Sequence, residues 1–258
     1  MPITKPKGDM YEGFIDYCWS PLAGGCQHQC SFCYAAKNQI RYGQWWKDKP
    51  HWSSENFKRV DKMTDPIWKG LPKLPDGKIF VCHTTDMFAD NVPKDWIETI
   101  LEHCWETSVC NGESEFTSFV FQTKNPKRLK EFSHIFERFP KESLTFGITL
   151  ETNKDTSKYS KAPAPIDRRI AFRDFIRTTQ YPSFITIEPV MDFNLIFTKW
   201  FEWFTPNLIW IGADSKNCNL PEPSPEKIQG FIEDLRSFTE VRLKPNLDRL
   251  LKAVDKNV

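Results

Sequence analysis

Three of the chain's eight cysteines fall in one short stretch: Cys26, Cys30 and Cys33, within S-P-L-A-G-G-C-Q-H-Q-C-S-F-C-Y-A at residues 20–35. Thiolates are the protein ligands that iron–sulfur clusters and zinc take up, and a C-x3-C-x2-C spacing lets three of them converge on one soft metal centre. No fourth cysteine lies nearby in the sequence, so the centre keeps an open coordination position where a substrate or cofactor binds. A disulfide does not suit the loop, because three close cysteines cannot all pair and Cys30 and Cys33 share a tight turn. The main alternative is a zinc-dependent binding module, in which His28 completes a Cys3His set with Cys26, Cys30 and Cys33. A second is an electron-transfer iron–sulfur protein, which would hold a cluster without further chemistry.

Phe32 stands directly before the third cysteine, and with it the spacing resembles the signature of the radical S-adenosylmethionine (radical SAM) superfamily. The resemblance implies an enzyme whose three thiolates hold a 4Fe-4S cluster while S-adenosylmethionine (SAM) chelates the fourth iron. Reductive cleavage of SAM would yield a 5'-deoxyadenosyl radical that abstracts hydrogen from a substrate, with an external electron donor of the flavodoxin or ferredoxin type. The strings I-F-V-C-H-T-T-D-M-F and I-T-I-E-P look like a compact, phage- and prokaryote-associated branch of that superfamily. The resemblance leaves the substrate open among nucleic acid, peptide and metabolite.

Such chemistry needs a scaffold, and the hydrophobic pattern supplies one. Short β-branched and aromatic runs at Gly13–Trp19, Lys78–Cys82, Phe116–Phe121, Leu144–Leu150, Phe184–Ile187 and Leu208–Ile211 read as strands. Between them lie helical stretches opened by Pro93, Pro126 and Pro165, the aromatic segment Leu195–Phe204, and Pro225–Phe238 capped by Ser224. Val241 and Leu243 suggest a last strand before 246–254. Gly24-Gly25 turn the chain into the cysteine loop, Tyr34–Gln44 looks helical, and 45–73 is an irregular insertion with Trp45, Trp46, Trp52 and Trp68. Six strand-then-helix units in series predict an α/β fold, a parallel sheet with outer helices curled into a partial (β/α)6 TIM-like barrel, in a single domain spanning 1–258.

In such a barrel, chemistry sits at the carboxyl ends of the strands. The resemblance places Phe32 and Tyr34 near the SAM adenine. It sets Thr84, Thr85 and Asp86 where many relatives carry Gly-Gly-Glu for the SAM amino group. It assigns SAM ribose and carboxylate contacts to Thr149 and Glu151. At the ends of the next two strands, a carboxylate at Glu188 suits a ribose contact or the ordering of the loop, and the bare backbone of Gly212 suits an adenine contact. Gln122, Thr123 and Lys124 end the third strand, with Gln122 and Lys124 as substrate candidates. Cys218, in the loop after the sixth strand, is the candidate catalytic residue, as a hydrogen donor or substrate contact. Cys18, Cys82, Cys104 and Cys110 read as buried small hydrophobes.

Composition sets the outer limits. Hydrophobic residues make up 40% of 258, enough for a substantial core. A net charge of +1 provides no global field toward nucleic acid or anionic lipid. The basic runs Lys124–Lys130 and Arg168–Arg177 read as solvated helix faces. Met1–Met10 lacks the apolar core of a signal peptide and no apolar run approaches a membrane span, so the expectation is a cytoplasmic protein without membrane contact.

Overall fold

The computed structural model describes residues 3–7, 11–22, 26–35, 73–110, 117–202 and 204–252. The expected Gly24-Gly25 turn, the helix beyond Ala35 and the tryptophans of the 45–73 insertion lie outside them.

Seven strands form one sheet in chain order, each neighbour pair parallel: β1 (Tyr17–Trp19), β2 (Gly77–Val81), β3 (Thr117–Thr123), β4 (Leu144–Thr149), β5 (Ser183–Ile187), β6 (Leu208–Ile211) and β7 (Glu240–Leu243). The six expected strands are therefore present, and Val241 and Leu243 lie on a seventh strand that pairs with β6. The first strand starts later than its aromatic run suggests. Tyr11 and Gly13 take left-handed backbone (φ 49 and 66), which turns residues 11–14 back on themselves.

Side chains alternate across each strand, and the alternation defines two interiors. One set, including Ile79, Phe119, Phe121, Phe146, Ile148, Ile185, Ile187, Ile209 and Ile211, builds the main core between sheet and helices. The other set, Cys18, Phe80, Val120, Phe184, Leu208 and Trp210, packs with Tyr11 and Ile15 on the concave face. Gly147 has no side chain because the Phe184 ring fills its place; a Cβ there would lie 2.2 Å from the ring. Tyr11 shows how tightly the sheet curls. Its ring lies 5.5 Å from Phe80 of β2, 5.8 Å from Phe184 of β5 and 5.5 Å from Trp210 of β6. A flat sheet cannot bring β2 and β6 to one ring, so the architecture is an open α/β barrel with Tyr11 as its plug.

The outer helices are α1 (Lys94–Cys110), α2 (Ser133–Phe136), α3 (Pro165–Thr179), α4 (Lys199–Glu202), α5 (Pro225–Arg236) and α6 (Asp248–Leu251). Ser224 caps α5 as expected, accepting from Lys227 N. Two expected helices are broken. Pro126–Phe132 winds as 3-10 helix before the single turn of α2. Leu195–Phe197 does the same before α4, with Leu195 and Ile196 exposed. Segments this short carry little helical stability of their own, so their shape follows packing.

Candidate metal and cofactor site at the sheet mouth

The cysteine loop leaves the carboxyl end of β1 and is fastened from three sides. Cys33 N donates to Cys30 O at 3.0 Å and Gln29 N to Cys26 O at 3.3 Å, which folds the loop into successive turns. The segment between β4 and α3 clasps it: Ser31 N donates to Tyr159 O (2.8 Å) and Lys161 N to His28 O (2.6 Å). Cys30, Phe32, Met191 and Leu220 form a buried cluster with Cys33, Tyr159 and Cys218 against it. Burial, with the Asp86 charge adding to it, pushes the Cys26 thiol up to about 12, although the backbone N–H groups of His28 and Asp86 bond to its sulfur. Burial thus favours the protonated thiol, and a metal bound here would have to displace that proton.

Asp86 is the second fastening. Its Oδ2 accepts His28 Nε2 at 2.8 Å, Thr123 Oγ1 at 3.0 Å and Lys124 N at 2.7 Å, while Oδ1 accepts Phe88 N at 3.0 Å. Burial opposes its charge, but His28 and these donors outweigh that and hold the carboxyl below its usual range. One carboxylate thus ties the cysteine loop to the ends of β2 and β3. The residue expected to meet the SAM amino group is already filled with donors, and the imidazole weighed as a zinc ligand spends Nε2 on Asp86. Thr85 beside it is different: its hydroxyl is buried and has no partner among the described residues.

The third fastening is ionic. Glu151 lies between Arg168 Nη2 at 2.8 Å and Lys124 Nζ. Burial alone would raise its pKa, but the two cations outweigh it and bring it down to about 2. Arg168 Nη1 also donates to Thr149 O at 2.6 Å, and Lys124 Nζ sits 4.7 Å above the Phe32 ring. Phe32 therefore joins the cysteine loop to the end of β3. Arg168 corrects the reading of its basic run as a solvated face, being fully buried on the α3 face it shares with Phe172 and Phe175. That four- and seven-residue spacing is the signal the sequence held.

The floor and the far wall were less legible. Tyr11 OH donates to Gln122 Oε1 at 2.5 Å and lies 3.1 Å from Thr186 Oγ1. Gln122 Nε2 donates to Thr149 Oγ1 at 2.9 Å and Thr186 Oγ1 at 3.0 Å. Gln122 and Thr149 thus sit together in an uncharged polar floor. On the far wall Lys244 Nζ pairs with Glu188 Oε2 at 2.6 Å, leaving the Glu188 side chain 22% exposed. Gly212 makes room for it, since a Cβ there would lie 2.9 Å from the carboxylate. Gly212 O accepts Val190 N and Gly212 N donates to Ile187 O.

Between the walls, His83 Nδ1 lies 2.9 Å from Ser20 Oγ. Burial brings the ring down to about 4, so it is neutral. Tyr34 OH donates to the His83 carbonyl, and Thr84 is half-buried beside them. The loop after β6 carries Cys218 to the cysteine loop, its N–H held by Asp214 Oδ2 and its neighbours Asn217 and Asn219 both at positive φ (52 and 54). Cys18, Cys82 and Cys104 are buried, as expected. No pattern in the sequence singled out Tyr11, Lys244 or Ser20, because each takes its meaning from a strand distant in the chain.

The donor chemistry fits a thiophilic cluster. None of the described cysteines is in a disulfide, and three of them share one anchored loop at the sheet mouth. The orphaned Thr85 hydroxyl stands at the next strand end. Among the described residues no three His, Cys, Asp or Glu side chains are already gathered to hold a metal, so the thiols are anchored through their backbone rather than drawn together.

A family model described as "Protein of unknown function (DUF5131)" matches residues 13–193. The chain belongs to this family. The DUF5131 span takes in the cysteine loop, Asp86, Lys124, Glu151, Arg168 and Glu188, and stops before Gly212, Cys218 and Lys244. No curated protein matches the sequence. Among solved structures, spore photoproduct lyase in complex with dinucleoside spore photoproduct aligns with a TM-score of 0.50 at 11% identity, over 96% of this chain and 66% of the lyase. SuiB of Streptococcus suis, bound to S-adenosylmethionine, aligns with a TM-score of 0.50 at 11% identity, over 88% of this chain and 49% of SuiB. The DUF5131 chain thus spans about two thirds of the one and half of the other, and at such identity the likeness is one of fold. No helix among the described residues is long and apolar enough to cross a membrane.

Proposed function

We propose that this chain is a radical SAM enzyme, with Cys26, Cys30 and Cys33 as ligands of a 4Fe-4S cluster. The observation that carries the reading is the position of three cysteines, none in a disulfide, on one anchored loop at the carboxyl end of β1, in an open parallel barrel. When bound, the cluster and SAM would supply a 5'-deoxyadenosyl radical for hydrogen abstraction from a substrate. The chain's own residues hold and shape the place for it. Asp86 and the Tyr159–Lys161 clasp fix the loop. Thr85 offers a free hydroxyl, His83 a neutral ring, and Glu188 a partly exposed carboxylate able to accept from hydroxyl or ammonium donors. The aromatic floor under Tyr11 closes the barrel from below and excludes water.

The fold shared with a SAM-bound structure supports this reading over a zinc module, and the polar strand ends support it over a simple electron carrier, which needs no such mouth. Since the lyase structure holds a dinucleoside photoproduct, nucleic acid is the substrate class to test first, before peptide and metabolite. The decisive experiment is anaerobic reconstitution with iron and sulfide, followed by SAM and a chemical reductant. A brown protein that releases 5'-deoxyadenosine supports the enzyme. A colourless protein holding one zinc supports the module, and a cluster that leaves SAM intact supports the carrier.

A further inference from the structure

Building on that reading, we propose that Ser160 is a positioning residue for the Cys30 sulfur: its hydroxyl donates to the Cys30 thiolate once that thiolate is a metal ligand, and so raises the reduction potential of the bound cluster. Ser160 is buried in the segment between β4 and α3, 130 residues along the chain from Cys30, with Oγ 3.1 Å from Cys30 Sγ. Its place is fixed on both sides by backbone bonds, Ser31 N to Tyr159 O and Lys161 N to His28 O. The contact is therefore part of the clasp and does not depend on a mobile rotamer.

The direction of the hydrogen bond follows from what else the hydroxyl does. Its oxygen already accepts Ala162 N at 3.1 Å, which leaves its single hydrogen to donate. Two acceptors are within reach, Cys30 Sγ and the His28 carbonyl at 3.3 Å. The carbonyl already holds Lys161 N at 2.6 Å. A thiol can itself donate weakly to Ser160, but a metal-bound thiolate offers only lone pairs, so ligation turns the O–H toward sulfur. A hydrogen bond to a ligating sulfur draws off electron density and favours the more negative, reduced cluster, which is one of the established levers on cluster potential.

The test reads the cluster potential in the reconstituted full chain and in Ser160→Ala, Ser160→Thr and Ser160→Val, by redox titration followed by electron paramagnetic resonance. Removing the hydroxyl should lower the reduced-to-oxidised ratio at a fixed applied potential about tenfold, equivalent to about 59 mV for a one-electron couple. Threonine should hold the wild-type value, and valine, its isostere, should follow alanine. If the alanine chain does not fold, the threonine–valine pair decides, since those side chains share one shape and differ in the hydroxyl. An unchanged potential in alanine or valine overturns the proposal, as does an equal shift in threonine and valine. A wild-type chain that takes up no iron overturns the enzyme reading and this inference with it; a cluster that forms with its potential untouched by these changes overturns this inference alone.

Discussion

The two walls of the mouth treat charge differently. On the cysteine-loop side Asp86 accepts four donors. Glu151, its side chain 1% exposed, is held between Arg168 and Lys124. On the far side, among the described residues, Glu188 has a single cation, Lys244, and keeps part of its surface in solvent. A carboxylate saturated with partners is an anchor, whereas one with spare lone pairs at a barrel mouth is available to a ligand. The near wall accordingly holds the loop in place, and the far wall keeps hydrogen-bonding capacity of its own.

Substitutions can break or sharpen that contrast, and the largest effect belongs to the thiols. Changing Cys26, Cys30 or Cys33 to Ser should abolish the brown chromophore and bring 5'-deoxyadenosine release down to that of a protein-free control, measured by iron content and chromatography. Next comes the buried ion pair. Arg168→Met leaves Glu151 charged and half-compensated, and should cost about 3–5 kcal/mol in urea unfolding. Glu151 also sets a pH dependence. Its folded pKa of about 2 lies below its ordinary value of 4.5, so its contribution is complete above the ordinary value and is lost as pH falls through the folded one. Acid unfolding of the wild type should therefore steepen between about pH 4.5 and 2, and Glu151→Gln should flatten that limb.

A smaller effect is expected from the fastening at Asp86. His28→Phe removes one charge-assisted bond and should lower stability by about 1.5–3 kcal/mol. It should also speed exchange of the Ser31 amide, read by hydrogen exchange. The smallest change in stability belongs to the far wall. Glu188→Gln keeps an acceptor for the buried Lys244 ammonium but removes its counter-charge, and should cost about 1–2 kcal/mol in unfolding, yet weaken SAM binding roughly tenfold by calorimetry, about the value of one charged hydrogen bond. A Glu188→Gln chain that unfolds as readily as Arg168→Met would erase the distinction between the walls.

Much of this was legible in the sequence, and the reasons differ by residue. Leu208–Ile211 and Phe184–Ile187 are buried on both faces, so they read as continuous apolar runs whatever surrounds them. The cysteine loop carried its own signature. The strand-end positions Asp86, Lys124, Glu151 and Glu188 were also visible, but their partners were not: whether a carboxylate is saturated depends on cations supplied by other elements. Arg168 stood in what looked like a solvated helix face, and only its spacing to Phe172 and Phe175 hinted otherwise. Ser160 and Tyr11 lie in segments without periodicity; Ser160 becomes meaningful only once the cysteine loop is folded against it, and Tyr11 only once β3, β5 and β6 are placed around it.

Tyr11 sets a condition on how the molecule comes together. Its hydroxyl bonds to Thr186, 175 positions further along the chain, and its ring leans on Trp210. Contacts of such long sequence separation form late, after the loop-closure entropy has been met. A chain that has made the cysteine loop but not β6 therefore has its thiols above a barrel that is not yet plugged, and the segment carrying Tyr11 is among the last to be secured.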